Sequence, residues 1–111
     1  MDAVKVAYVN RVELVGRVTH VGEERVLPSG DVVHSWRLVV PRDDARARRA
    51  SRTQVDVVDV SCWSALTRRV AGRLAQGDLV EVRGPLRRRF FRAASGVSSR
   101  YEVEAVSVRK V

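Results

Sequence analysis

The sequence predicts an all-β fold: a five-stranded barrel with one helix between its third and fourth strands. Two observations carry that class. Valine and arginine dominate, and along most of the chain apolar positions alternate with polar ones, the period of a half-buried strand. One segment, residues 64–78, breaks the alternation with an apolar repeat near 3.6, the period of a helix. At 111 residues the chain fits one domain, residues 1–111.

The first strand is "NRVELVGRVTHV" (10–21), with Val12, Leu14, Gly16 and Val18 on one face. The second is "VVHSWRLVV" (32–40), with Val32, His34, Trp36, Leu38 and Val40 on one face and Ser35 and Arg37 on the other. "LPSGD" between them is a Pro-Gly turn, so the two read as an antiparallel pair. The third strand, "VDVVDVSCW" (55–63), turns Val58, Val60 and Cys62 one way and Val57, Asp59, Ser61 and Trp63 the other. "SALTRRVAGRLAQGD" (64–78) has a stripe of Leu66, Val70 and Leu74 with Ala71 and Ala75 beside it. Ser64 fits as N-cap and Gly77 as the C-terminal stop, and Arg68, Arg69 and Arg73 point outward. A fourth strand runs from "LVEVRG" (79–84) into "PLRRRFF", and a fifth is "RYEVEAVSV" (100–108). Three strands, a helix and two strands is the order of the OB-fold, a small Greek-key barrel. A generic five-strand barrel or sandwich is the competing architecture.

Composition narrows the function. Lys+Arg total 21 against 13 Asp+Glu, a formal net charge of +8, and all but two of the cations are arginine. The guanidinium fork bonds two phosphate oxygens at once and stacks on flat π-faces, so nucleic acid is the expected partner. The single cysteine, Cys62, provides neither a disulfide framework nor a cysteine metal cluster. It faces inward with the third strand's apolar side and is expected as a free thiol. No Gly-rich phosphate loop, Cys/His metal spacing or Ser/His/Asp set is visible, and His20 and His34 are isolated. No catalytic residue, metal or cofactor is therefore expected. "DAVKVAY" after Met1 reads as neither signal peptide nor lipid anchor, and charge interrupts the apolar stretches, so the expected location is the cytoplasm.

The candidate binding residues come from face assignments. "LRRRFF" places Leu86, Arg88 and Phe90 on one face and Arg87, Arg89 and Phe91 on the other. With Leu86 toward the core, the second face offers two cations and a ring, which suits a single strand: charge tracks the backbone and the ring stacks on a base. Phe90 reads as packing, and Arg88 has no role in this scheme. Trp63 shares its face with Asp59 and Ser61, so it reads as a stacking platform. Trp36 shares its face with Leu38 and Val40 and reads as core, which makes Arg37 opposite it a candidate contact. The long loop "PRDDARARRASRTQ" (41–54) adds Arg42, Arg46, Arg48, Arg49 and Arg52 as candidate phosphate contacts. "RAASGVSS" (92–99) reads as a hairpin tip.

With these elements in place the chain resembles the bacterial single-stranded DNA-binding proteins. The matching stretches are "NRVELVGRV", "LPSG", "SWRLVV", "DVVDVSCWSALTRRVAGRLAQGDLVEVRGPLRRR" and the final strand, in family order across most of residues 10–108. The resemblance implies the OB barrel and binding and protection of single-stranded DNA with little sequence preference, in replication, recombination or repair at the nucleoid. It implies a homodimer or homotetramer. It places Trp63 and Phe91 on stacking positions and Arg87 and Arg89 on basic contact positions. Two family aromatics are replaced, by Val57 and by "RDD" (42–44). Many members continue into a flexible tail with an acidic tip that recruits partners; the sequence given ends at "SVRKV", so that recruitment is not expected of it. An OB-fold assembly paralogue and an RNA-binding OB domain are the alternatives. "AVKVAYV" (3–9) alternates Val4, Val6 and Tyr8, and such an edge needs cover, so it is expected to pair with a second subunit.

Overall fold

The computed structural model describes residues 6–42 and 54–111. Alternation of valine with polar residues yields β1 (Val12–His20), short β2 (Glu24–Val26), β3 (Val32–Pro41) and β4 (Val55–Cys62). The one helix among the described residues, α1 (Ala65–Ala71), precedes β5 (Leu79–Gly84), β6 (Leu86–Ala93), β7 (Gly96–Glu104) and β8 (Ser107–Lys110). They form one sheet in the order β6-β7-β4-β3-β1-β5-β8, with β2 on β3. All pairings are antiparallel except β4 with β7.

The sheet curls into a barrel because its two halves meet at Pro85. The Glu104 amide donates to the Pro85 carbonyl at 2.9 Å and the Val106 amide to the Arg83 carbonyl at 2.8 Å. Gly84 makes that approach possible, since a Cβ there would run into the Glu104 carbonyl oxygen. The barrel is filled by Val18, Trp36, Leu38, Val60, Cys62, Val80, Val82, Val103 and Val108, and Ala71 and Leu74 plug one end. The expected inward faces of β1, β3 and β4 are the buried ones, except that Val33 and Ser61 of the opposite parity are buried too, and Cys62 is a buried free thiol.

The five expected strands are present, but two are divided. Pro85 has no amide to donate and splits the fourth into β5 and β6. The fifth begins earlier, at Gly96, and breaks before Ser107. Residues 92–99 are mostly strand, and only Ala94 and Ser95 separate β6 from β7. The helix is shorter than expected and turned. Ser64 is its N-cap, accepting the Thr67 amide at 3.1 Å, but Gly72, not Gly77, caps its C-terminus. The buried stripe is Thr67, Ala71 and Leu74, with Val70 partly buried; Leu66 is exposed. Thr67 can be buried because Ser64 satisfies its hydroxyl at 2.7 Å. Arg68 is not fully outward: it donates to the Trp63 carbonyl at 2.6 Å and pairs with Glu24.

Candidate nucleic-acid interface

The β6–β7 hairpin sorts its side chains by register. Arg87 lies opposite Glu102, Arg89 opposite Arg100 and Phe91 opposite Ser98, so these share one face. Leu86, Arg88 and Phe90 share the other with Val103, Tyr101 and Ser99. The parity read from "LRRRFF" therefore holds. The expectation that the Leu86 face is core does not. Leu86, Phe90 and Tyr101 are all exposed, because the hairpin runs past the end of the barrel where no strand covers it. Arg88, unassigned from sequence, lies between two rings, 5.1 Å from the Phe90 centroid and 5.5 Å from that of Tyr101, and donates to Ser99 Oγ.

The Arg87 face continues onto the outer faces of β7, β4 and β3, since Ser61 is level with Glu104, Asp59 pairs with Arg37 and Ser35 with Ser61. A groove runs along this surface as three adjoining hollows that share Ser35 and Arg100. Its main section, about 530 Å³, brings Trp63, Arg89 and Phe91 together with Arg25, Arg92, Arg100 and Glu102.

Trp63 follows the last residue of β4 and is half-buried. Its Nε1 is buried with no acceptor among the described residues, and the Arg89 guanidinium lies over its ring, 5.5 Å from the centroid. Phe91 is 44% exposed and has Arg100 over it at 5.6 Å. Both groove aromatics thus carry a cation, and the two cations are cross-strand neighbours. Like charges facing each other destabilise a sheet; here each is drawn to its own ring.

The candidate arginines among the described residues are pre-paired. Arg89 donates to Glu102 and Glu104, both at 3.0 Å, and Arg87 to Glu104 at 3.0 Å. Arg37 lines the neighbouring hollow and holds Asp59 at 3.0 Å. Arg42 stands at the end of β3, paired with Asp56 at 2.7 Å, a bond that holds the Asp56 carboxyl below its ordinary range. Arg46, Arg48, Arg49 and Arg52 lie outside the described residues. Val57 is exposed on the outer face of β4.

Three groove arginines were missed from sequence: Arg25, Arg92 and Arg100. Arg92 sits in what reads as a hairpin tip. Arg25 lies on β2, a strand too short to show alternation. Arg100 was legible in principle: it opens the fifth expected strand with the parity of Glu102, opposite that of Val103.

Comparison with known proteins agrees with this geometry. Residues 9–111 match the model of the single-strand binding protein family. The chain belongs to that family. Its relatives include the single-stranded DNA-binding proteins of Bacillus cereus and Bacillus anthracis, each 33% identical over 87 residues. These alignments cover 78% of this chain but 50% and 49% of the relatives, so the chain spans about half the length of the curated relatives it matches. Among solved structures, Plasmodium falciparum SSB in complex with ssDNA superimposes with a TM-score of 0.74 at 20% identity, covering 96% of both chains. That likeness extends the family's fold over the barrel, its helix and the β6–β7 hairpin together.

Proposed function

We propose that residues 1–111 act as one OB-fold domain that binds and protects single-stranded DNA with little sequence preference, serving replication, recombination or repair in the cytoplasm at the nucleoid. The observation that carries this is the groove in which Trp63 and Phe91 lie among Arg25, Arg89 and Arg100. Stacking on rings is sequence-tolerant because every base has a π-face, and cations track the backbone. The relatives are named for the same ligand. Arg37, Arg42 and Arg87 extend the basic track, and Arg46, Arg48, Arg49 and Arg52 add phosphate contacts from the loop. The reading assigns binding and no catalysis, with no metal or cofactor.

Competition among oligo-dT, oligo-U and duplex DNA tests it. Oligo-dT should bind tightest, with log K falling by roughly 0.7 per log unit of salt for each phosphate neutralised. Preference for oligo-U would make this an RNA-binding domain, and no binding of any nucleic acid would make it an assembly protein.

Self-association is part of the proposal. Val6 and Tyr8 are exposed, as are Leu86, Phe90, Val97 and Tyr101 on the far side of the hairpin; Val4 lies outside the described residues. Exposed apolar side chains gathered on one face of a hairpin suit an interaction site. A dimer or tetramer is expected by sedimentation at micromolar concentration, and a monomer would contradict it.

A further inference from the structure

The arginines in and beside the groove's main section fall into two sets, apart from Arg37, which Asp59 holds in the neighbouring hollow. Arg87, Arg89, Glu102 and Glu104 form a cluster whose formal charges cancel, joined by three contacts of 3.0 Å. Arg25, Arg92 and Arg100 have no carboxylate partner among the described residues. The cluster is also placed to matter. Its guanidinium at Arg89 stands 5.5 Å from the Trp63 centroid. Stacked atoms sit about 3.5 Å apart, so a base between the guanidinium and the ring needs roughly 7 Å. A base therefore reaches that ring face only when Arg89 moves, and Arg89 is held by two carboxylates, one of them on the buried side chain of Glu102. Carboxylate and phosphate oxygens suit the same guanidinium fork.

We infer that Glu102 and Glu104 are positioning residues which occupy the phosphate-binding edges of Arg87 and Arg89 in the free protein, so that a strand engages this face of Trp63 by displacing them. The inference rests on the reading of the groove as a single-strand site. It has a signature that a bracing role lacks. A phosphate taken up by a matched arginine frees a carboxylate, which recovers a cation from solution, so that contact adds little to the net release of ions. The salt dependence of the native protein then counts Arg25, Arg92 and Arg100 but not Arg87 or Arg89.

Glu102→Gln and Glu104→Gln test this, with Glu81→Gln as control. Glu81 pairs with Arg83 and Arg109 away from the groove, both at 3.3 Å, so its loss adds the same net charge elsewhere. Oligo-dT affinity is measured across a salt series, and thermal melting checks folding. Each groove variant should bind up to about tenfold tighter at low salt, with the slope steeper by roughly 0.7. Glu81→Gln should leave the slope unchanged. Weaker binding at an unchanged slope would reduce the carboxylates to a brace, and equal steepening by Glu81→Gln would reduce the effect to net charge; either overturns the inference. Should Glu102→Gln not fold, Glu104→Gln, on a half-buried side chain, decides the matter alone. If the native protein binds no nucleic acid, the single-strand reading falls and the inference with it. If the native protein binds and the variants match it, the inference alone falls.

Discussion

Trp36 and Cys62 are bonded to one another inside the barrel: the indole Nε1 donates to Sγ at 3.3 Å, and neither side chain meets solvent. Burial pushes the Cys62 thiol up from its ordinary value, and the bonds from Trp36 and Thr67 offset this only in part. The thiol is thus a packing group, and the indole is both the largest core side chain and its polar partner.

Trp36→Ala should accordingly cost roughly 3–5 kcal/mol of stability, the usual range for an aromatic truncated in a packed core. Denaturant unfolding measures it. A loss below 1 kcal/mol would mean that the barrel closes without Trp36.

Trp63 should behave oppositely. It is half-buried at the end of β4 and lines the groove, so Trp63→Ala should weaken oligo-dT binding by about 1–3 kcal/mol with a smaller change in melting temperature. In the native protein its fluorescence should fall as oligo-dT is added. If Trp63→Ala melts early while keeping its affinity, the groove lies on the wrong face.

Acid should loosen the junction where β5 begins. The Asp78 carboxyl is held below its ordinary value of 3.8, first by the Ala75 amide at 2.8 Å and then by Lys110 at 3.2 Å. A depressed carboxylate contributes stability in full above its unfolded value and loses it as pH falls through the folded one. Asp78→Asn should therefore be less stable than the native chain at pH 7, with the gap narrowing below about pH 4. A gap independent of pH would show that the charge on Asp78 contributes nothing.

The barrel was legible because its strands mostly alternate, and one register step moves every side chain to the other face. Val12 to Val18, His34 to Val40 and Val58 to Cys62 all bury the side that alternation names. The helix was legible as an element but not in rotation. Leu66 looked like core and Thr67 did not, because a pattern weighs hydrophobicity and cannot see the Ser64 hydroxyl that satisfies Thr67. Trp63, Arg89 and Phe91 line one groove, a grouping that parity could indicate. The ion pairs of Arg87 and Arg89 were not legible, because they depend on Glu102 and Glu104 arriving from a strand that pairs with both β6 and β4. Phe90 was misread as packing for a related reason: alternation separates two faces without saying which of them another layer will cover.

That last point gives the most discriminating pair of variants. Phe90 and Phe91 are adjacent, chemically identical and exposed, at 67% and 44%. They differ in the face they occupy. Phe91 shares the Arg89 and Arg100 side and lines the groove together with Trp63, with a cation over its ring. Phe90 also borders the groove, but its ring lies on the Arg88 and Tyr101 side, 5.1 Å from the Arg88 guanidinium. Loss of a stacking ring costs about 1–3 kcal/mol of binding. Phe91→Ala should show that loss in oligo-dT titrations. Phe90→Ala should keep the affinity per binding site and shift the sedimentation of the free protein toward smaller species, because its face is the apolar one proposed to be covered by another subunit. Both exposed rings should be removable with little effect on the melting of a single barrel. Equal losses of affinity from the two variants would mean that the strand wraps the hairpin on both sides, and a loss confined to Phe90→Ala would place the strand on the opposite face from Trp63.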